Sequence, residues 1–349
     1  MPVALRMPLD RWPPDDRSAW ARVTSPIGYF DDLAPAAHWS EKTRYQAQAA
    51  YGRWLAFLGD RFPDALALAP AERFDRPRTA AYVDALDVRM TPMSVAAELG
   101  HLIMMMRVLA PSAEWRWLRK WQYRYQKQAV TRDKRSRMVH PARLLELGIG
   151  LMDRAEGLSH ASEKARQYRD GLLIALLTYR PLRRRSLSEL KIGTHLRRIG
   201  TGYSLAVPGV DTKSGEPIEF PLPDRLTIYL TRYLEHFRLL FPNAHEQDAL
   251  WLSTKRGALG SDAIYAAICR HTAVAFGHTI HPHLFRDIAV TTIARETPEA
   301  LNVSRDLLTH ANIETTLRHY SQATTVDATR KHSRLLATLR SRSRANRTR

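Results

Sequence analysis

Apolar residues recur at intervals of three and four along most of this sequence, and this spacing favours a mainly helical fold. Between 39 and 125, three such stretches follow one another and are separated by turns that contain proline. Two short stretches, 203–207 and 218–222, are instead typical of strands and flank a Lys-Ser-Gly turn. The sequence therefore predicts a helical bundle followed by a second region of helices that carries one small hairpin.

Length and local composition predict how the chain is divided. At roughly 100 to 200 residues per domain, 349 residues suggest two domains. Residues 1–37 are rich in proline and show no sustained period, which indicates a loose N-terminal extension. We predict a helical domain at 38–125, an exposed basic linker at 126–143, a mixed domain at 144–335 and a basic tail at 336–349.

The composition excludes several classes of protein. The chain has 53 Lys and Arg against 35 Asp and Glu, a net charge of +18, which favours a polyanionic partner. A single cysteine, Cys269, excludes disulfide frameworks and cysteine zinc sites and fits a reducing cytoplasm. The best apolar run, Leu102 to Met106, is too short to span a membrane, and the first residues lack the apolar core of a signal peptide. We therefore expect a cytoplasmic protein with no membrane segment.

A run of three arginines supplies the first candidate site residue. If Leu187 and Leu190 point into the core, Arg183 lies on the same side as Leu187, whereas Arg184 and Arg185 point outward. An arginine that points inward requires an anion, so Arg183 is a candidate anion ligand. The alternative is that all three form a basic strip on the surface.

A His-x-x-Arg pattern supplies two more candidates, because residues at i and i+3 of a helix place their side chains together. The pattern occurs three times, beginning at His140, His195 and His283. The third instance, His283 with Arg286, follows a proline and leads into an apolar run, which is typical of a buried helix. Context therefore favours the third instance, although the pattern alone does not select it.

Three further residues are weak signals when each is taken alone. Lys213 occupies the hairpin turn, where a lysine is usually solvated. His310 ends an apolar segment, where a histidine is more often a cap. Tyr320 closes a Thr-Thr-x-x-x-Tyr segment, where an aromatic side chain often packs on a neighbouring helix.

Taken in order, these six residues resemble the active-site signature of the tyrosine recombinase, or phage integrase, family over roughly residues 140–335. The resemblance implies a mainly α fold with a small β-sheet, in which a helical core-binding domain and a catalytic domain form a clamp around DNA. Two differences from the family stand out. Thr309 occupies a position where the family often has glycine, and Tyr320 follows His310 by ten residues where nine is more usual.

The resemblance also implies a function. It implies a site-specific recombinase or integrase of a mobile element, which cleaves and rejoins double-stranded DNA through a 3′-phosphotyrosyl bond to Tyr320, without metal, ATP or another cofactor. The partners it implies are DNA in the nucleoid and further copies of this chain, as a tetramer or as dimers, with accessory proteins left open. The other roles it implies are phosphate binding by Arg183 and Arg286, proton donation to the leaving oxygen by Lys213, acid–base chemistry by His283 and a hydrogen bond to phosphate from His310.

Two alternatives stay open on the sequence. A topoisomerase of the same chemistry would relax DNA without exchanging strands, and a binding protein that kept the fold would bind DNA without cutting it. A cluster of aromatic and basic residues at 115–124 is also ambiguous. It either lines the DNA clamp, or it packs Trp117 and Trp121 into the core and leaves its cations in solvent.

Overall fold

The structure is a computed structural model, and it describes residues 6–25, 34–130, 134–211, 217–255 and 257–296. The chain divides into two compact units, Met1–Arg132 and Asp133–Arg349. The described part of the first unit is helical, and that of the second combines helices with a three-stranded antiparallel sheet. The predicted fold class, mainly α with a small β-sheet, is confirmed. Among the described residues, no helix has both the length and the apolar character needed to cross a bilayer.

The helices of the first unit begin where the sequence supplies capping residues. The side chains of Ser40, Asp75 and Thr91 each accept a hydrogen bond from the backbone amide three residues later. The first unit has five α-helices and two short 3-10 turns among its described residues: α1 Pro14–Thr24, α2 Glu41–Arg61, α3 Arg76–Asp87, α4 Pro92–Leu109, α5 Arg116–Gln128, and the turns Leu9–Arg11 and Pro63–Ala67.

The segment that the sequence indicated to be a loose extension is, where described, part of the packed core. Trp12 and Trp20 are buried among side chains of α2 and α4. The carboxylate of Asp16 on α1 is fully buried, where it pairs with Arg73 and accepts a hydrogen bond from Tyr51 Oη at 2.9 Å. Sequence periodicity missed α1 because one tryptophan, Trp20, and one ion pair, rather than a repeating apolar stripe, attach this helix to the unit.

The second unit adds six α-helices and three strands among its described residues. These are α6 Pro141–Ala155, α7 Ala161–Tyr179, α8 Arg184–Ser188, β1 Leu196–Ile199, β2 Gly202–Val207, β3 Ile218–Pro221, α9 Asp224–Arg232, α10 Ser261–Phe276 and α11 Pro282–Glu296. The short turns are the 3-10 turns Arg135–Arg137, Gly209–Asp211, Arg238–Leu240 and Ala244–Glu246 and the π turn Tyr233–Phe237.

The sheet has the strand order β1-β2-β3, with Leu205 paired to Leu196 on one side and to Phe220 on the other. The predicted strands match β2 and β3 to within one residue at each end. The prediction missed β1, in which Leu196 is buried and the following three residues are exposed. A strand with one buried side chain gives no alternating apolar pattern for a sequence analysis to detect.

Helix α7 runs through the middle of the core of the second unit, since every residue from Tyr168 to Leu177 is buried. It packs on α6 at a contact between Gly148 and Gly171, where neither residue has a side chain to separate the backbones. The chain leaves α7 at Tyr179 and reaches Arg183 within four residues. The buried helix therefore determines where Arg183 begins its approach to the candidate site.

The predicted basic linker is not wholly an exposed linker. Its first residues, up to Gln128, complete α5, and its last residues begin α6 at Pro141. Between them, Lys134 contacts a buried carboxylate of α11. The predicted domain boundaries stay a prediction.

Candidate active site

Arg183 points inward as the sequence predicts. It precedes α8, its neighbours Pro181 and Leu182 are buried, and the residue itself is half-buried. The side chain of Arg185 is 83% exposed, so the outward direction predicted for it is confirmed. The side chain of Arg184 is only 43% exposed, because it packs on the ring of Tyr265. Buried Leu187 and Leu190 hold this turn against the core.

Arg286 lies on α11 and is 3% exposed. Its Nη1 donates a hydrogen bond of 2.6 Å to the carbonyl oxygen of Pro181, two residues before Arg183. This bond joins two segments that are 105 residues apart in the chain. A buried hydrogen bond from a charged donor is strong and directional, so it holds the two arginines of the candidate site near each other.

Arg183, His283 and Arg286 line one cavity of about 270 Å³. The structure thus brings together three of the six predicted site residues. The described residues that line it are Leu182, Arg183, Arg184, Tyr265, Pro282, His283 and Arg286. Among the described residues its lining has three guanidinium groups and no carboxylate, so the cavity is suited to bind an anion such as a phosphodiester.

Tyr265 in this lining was not among the predicted site residues. It lies on α10, and the guanidinium of Arg184 is 5.6 Å from the centre of its ring, a cation–π contact. Arg184 also pairs with Asp262 at 3.1 Å, one turn earlier on the same helix. A tyrosine within an ordinary amphipathic helix carries no motif, so the sequence gave no signal for it.

His283 is exposed at the mouth of this cavity, yet its environment disfavours the protonated imidazole. Partial loss of solvation, followed by the charges of Lys134 and Arg286, lowers the pKa of His283 to about 4. The imidazole is therefore neutral at pH 7 and has a ring nitrogen that can accept a proton or a hydrogen bond. Binding of a phosphate would oppose the nearby positive charges and raise this pKa again.

The other two His-x-x-Arg patterns have structural roles. His140 caps α6 by accepting a hydrogen bond from the Ala142 amide, and its other ring nitrogen lies 3.0 Å from Glu296 Oε1. His195 is buried, and its Nδ1 accepts a hydrogen bond from the Lys191 amide. The tertiary structure thus places only the third of these patterns, His283 with Arg286, at the candidate site.

Lys213, His310 and Tyr320 lie outside the described residues, as does the basic tail. Their assignment to the candidate site stays a prediction. In the described part of the chain, no three His, Cys, Asp or Glu side chains group together as metal ligands would.

Helix α5 of the first unit combines a packed face with a charged one. Trp117 and Trp121 are half-buried against the core of that unit, and their rings form an edge-to-face pair at 5.2 Å. The residues Arg116, Arg119, Lys120 and Arg124 are exposed. A cavity of about 570 Å³ lies along this helix, lined by Arg76, Glu114, Arg116, Trp117, Lys120, Trp121 and Arg124. The tryptophans pack, as one of the two interpretations expects, and the cations form a basic surface.

Comparison with known proteins found similar folds but no similar sequences. No family model matches this chain, and no curated protein matches its sequence. The crystal structure of the XerH site-specific recombinase bound to palindromic difH substrate, a post-cleavage complex, matches with a TM-score of 0.59 at 14% identity. That match covers 95% of this chain and 99% of the other.

Two further solved structures are similar to this chain. The pre-cleavage complex of XerH with difH matches with a TM-score of 0.55 at 15% identity, over 91% of this chain and 93% of the other. The XerA recombinase matches over 91% of this chain and 98% of its own at 16% identity, but its TM-score of 0.43 is too low to support an argument. The likeness to XerH extends over both units and concerns the fold.

Proposed function

Because the chain has the tyrosine recombinase fold, we propose that it is a site-specific DNA recombinase that breaks and rejoins DNA strands. The observation that carries the proposal is the meeting of Arg183, His283 and Arg286 in one cavity. These residues come from two segments about a hundred positions apart, and they are the types that phosphodiester chemistry requires. The fold supports the class of protein, and the cavity supports the reaction.

The proposed reaction is attack by the phenol oxygen of Tyr320 on the phosphorus of a DNA strand. The new bond joins Tyr320 Oη to phosphorus, and the bond from phosphorus to the 5′-oxygen breaks. Lys213 gives a proton to the leaving oxygen, so the products are a 3′-phosphotyrosyl bond and a free 5′-hydroxyl. Rejoining is the reverse reaction with the 5′-hydroxyl of another strand, and the protein is returned unchanged.

The described residues have defined tasks in this reaction. Negative charge grows on the non-bridging oxygens as the tyrosine attacks, and the rigid guanidinium forks of Arg183 and Arg286 stabilise that charge. His283, neutral at pH 7, accepts the proton of the phenol, whose own pKa is near 10 in the absence of other groups. His310 donates a hydrogen bond to the phosphate in this proposal.

The basic surface of α5 supports binding of the duplex as part of the same proposal. Its exposed arginines and lysine would contact phosphates and contribute affinity that falls steeply with salt. A clamp of the two units around DNA, assembly of several copies on the duplex and a role in integration of a mobile element also belong to the proposal.

The test is recovery of DNA covalently bound to the protein. Purified full-length protein is incubated in EDTA with fragmented DNA from its own genomic neighbourhood, then quenched with detergent, and the protein-linked ends are sequenced. Tyr320→Phe and Arg183→Ala are run in parallel. Arg185→Ala is the matched control, because Arg185 is two residues from Arg183 and its side chain is 83% exposed.

We expect adducts at a discrete sequence with the wild type and with Arg185→Ala, and none with Tyr320→Phe. DNA binding without any adduct on any fragment would contradict the proposal and favour a binding protein that kept the fold. Relaxation of supercoiled DNA, without exchange between two target sites, would favour a topoisomerase instead.

A further inference from the structure

The segment between Lys134 and Arg143 is held against α10 and α11 at several points. His278 Nε2 lies 3.2 Å from the carbonyl oxygen of Arg137, and Arg143 stacks over the ring of Phe276 at 5.1 Å. Both contacts are at the end of α10 or just beyond it. The strongest contact is that of Lys134, whose Nζ lies 2.9 Å and 3.1 Å from the two carboxylate oxygens of Asp287. The entry into the second unit is thus attached to the helix that carries His283 and Arg286.

Asp287 is an unusual partner for a residue of a basic linker. Its side chain is fully buried, whereas that of Lys134 is 24% exposed. Asp287 directly follows Arg286 and lies one helical turn after His283. Burial raises the pKa of Asp287, and the ammonium of Lys134 opposes that effect. A buried carboxylate without a cation is costly, so the pair restricts where α11 lies relative to Lys134.

We propose that Lys134 is a positioning residue of the candidate active site. Held by Asp287, it orients the first turns of α11 and places an ammonium group at a residue one helical turn after His283. The inference rests on the proposed function, and it adds a residue that lies about fifty positions before Arg183 in the chain. The role differs from that of Lys213, which the proposed reaction uses as a proton donor.

In the described part of the chain, the charges that act on His283 come from three elements. Lys134 comes from the segment between Lys134 and Arg143. Arg286 lies on α11, and His281 directly precedes that helix. Arg183 lies in the turn before α8. His281 is itself fixed, because its Nδ1 accepts a hydrogen bond from the Leu284 amide. Among the cations, Lys134 contributes most to the lowered pKa of His283. Removing the ammonium should therefore make the imidazole easier to protonate.

The test compares variants that differ at this ion pair. Lys134→Met removes the charge and keeps most of the aliphatic chain, and Lys134→Arg keeps the charge. Lys191→Met is the matched control, because Lys191 pairs with Asp248 at 3.0 Å where both side chains are about half exposed. Titration of the full chain with ¹³C-labelled histidine gives the pKa of His283 by NMR, and a His283→Gln spectrum assigns its signal.

We expect the midpoint of the His283 titration to rise by about half a pH unit or more in Lys134→Met. Lys134→Arg and Lys191→Met should titrate as the wild type does. A double variant, Lys134→Met with Asp287→Leu, leaves no buried charge unpaired and guards against loss of folding. Because it also removes the negative charge of Asp287, it should show a smaller rise than Lys134→Met. An unchanged midpoint in both Lys134→Met and the double variant would overturn the inference.

A second measurement links the residue to the proposed reaction. Covalent DNA adducts should form about tenfold more slowly with Lys134→Met, while DNA binding changes by less than about twofold. Lys134→Arg should form adducts at the wild-type rate. A loss of general stability in Lys134→Met would not explain why a second cation at this position keeps the rate. If the wild type forms no adduct at all, the proposed function fails, and the His283 titration still decides the role of Lys134.

Discussion

The contact between α6 and α7 at Gly148 allows a sharp test of how the second unit is packed. A Cβ atom added at Gly148 would lie 2.8 Å from the carbonyl oxygen of Gly171 and 2.9 Å from the amide nitrogen of Ala175. Both are backbone atoms of a buried helix, so neither can rotate away. We therefore predict that Gly148→Ala destabilises this unit, although alanine is the better helix former.

The magnitude follows from the distances. Ordinary van der Waals contact begins near 3.4 Å, so the helices must separate by about 3.4 − 2.8 = 0.6 Å at this point. Overpacking of a close contact costs about 1–3 kcal/mol, and the helix propensity of alanine offsets up to about 1 kcal/mol of that. The expected net loss in the free energy of unfolding is up to about 2 kcal/mol.

Gly150→Ala is the matched control in the same helix. Its added Cβ meets the end of the flexible Arg154 side chain at 3.0 Å, and that group can move aside. We expect Gly150→Ala to stabilise the unit by up to about 1 kcal/mol. Amide hydrogen exchange of the α7 peptides measures both variants in the full chain and isolates this unit from the first.

The two variants should therefore differ in sign. If Gly148→Ala were as stable as Gly150→Ala, the result would contradict the close approach of α6 and α7 at Gly148. The displacement should also reach the candidate site, because α7 ends two residues before Pro181, whose carbonyl oxygen accepts the hydrogen bond from Arg286. Slower adduct formation by Gly148→Ala than by Gly150→Ala would show this coupling.

Three further predictions follow from particular contacts. Arg73→Met leaves the buried carboxylate of Asp16 without its cation and should lower the free energy of unfolding, measured in urea, by about 3–5 kcal/mol. Arg61→Met, at an exposed pair, should lower it by less than about 1 kcal/mol, and equal losses would contradict this prediction. Arg183→Lys keeps the charge but loses the planar fork, so adduct formation should fall about tenfold or more, and an unchanged rate would refute a bidentate role. Since the pKa of His283 is about 4, adduct formation at low DNA concentration should decline as the pH falls through about 4, and a decline near pH 6.5 would refute this assignment.

Local patterns in the sequence predicted much of the fold, because helix period and turn chemistry depend on neighbouring residues. They predicted the helical character of both units, the strands β2 and β3, and the inward direction of Arg183. They missed α1 and β1 for one physical reason. Each of these elements buries few side chains, so its place in the fold depends on partners elsewhere in the chain, such as Arg73 for Asp16.

The candidate site was predictable only in part. The order of six residues indicated the family, and the fold agrees with that family. The local pattern of His283 and Arg286 has two equivalents, at His140 and His195, and the choice among them needed the position of each helix. Tyr265 and Lys134 gave no signal, because a tyrosine in an amphipathic helix and a lysine in a basic run are both common on protein surfaces.

By itself the sequence determined a mainly helical, strongly basic chain, since these properties follow from composition and from spacings of three and four residues. Only the tertiary structure decided which groups meet. Arg286 reaches Pro181 across 105 residues, and Lys134 reaches Asp287 across 153. Such contacts depend on the path of the whole chain, and their energy is gained only after the core has placed both partners, so no local pattern encodes them.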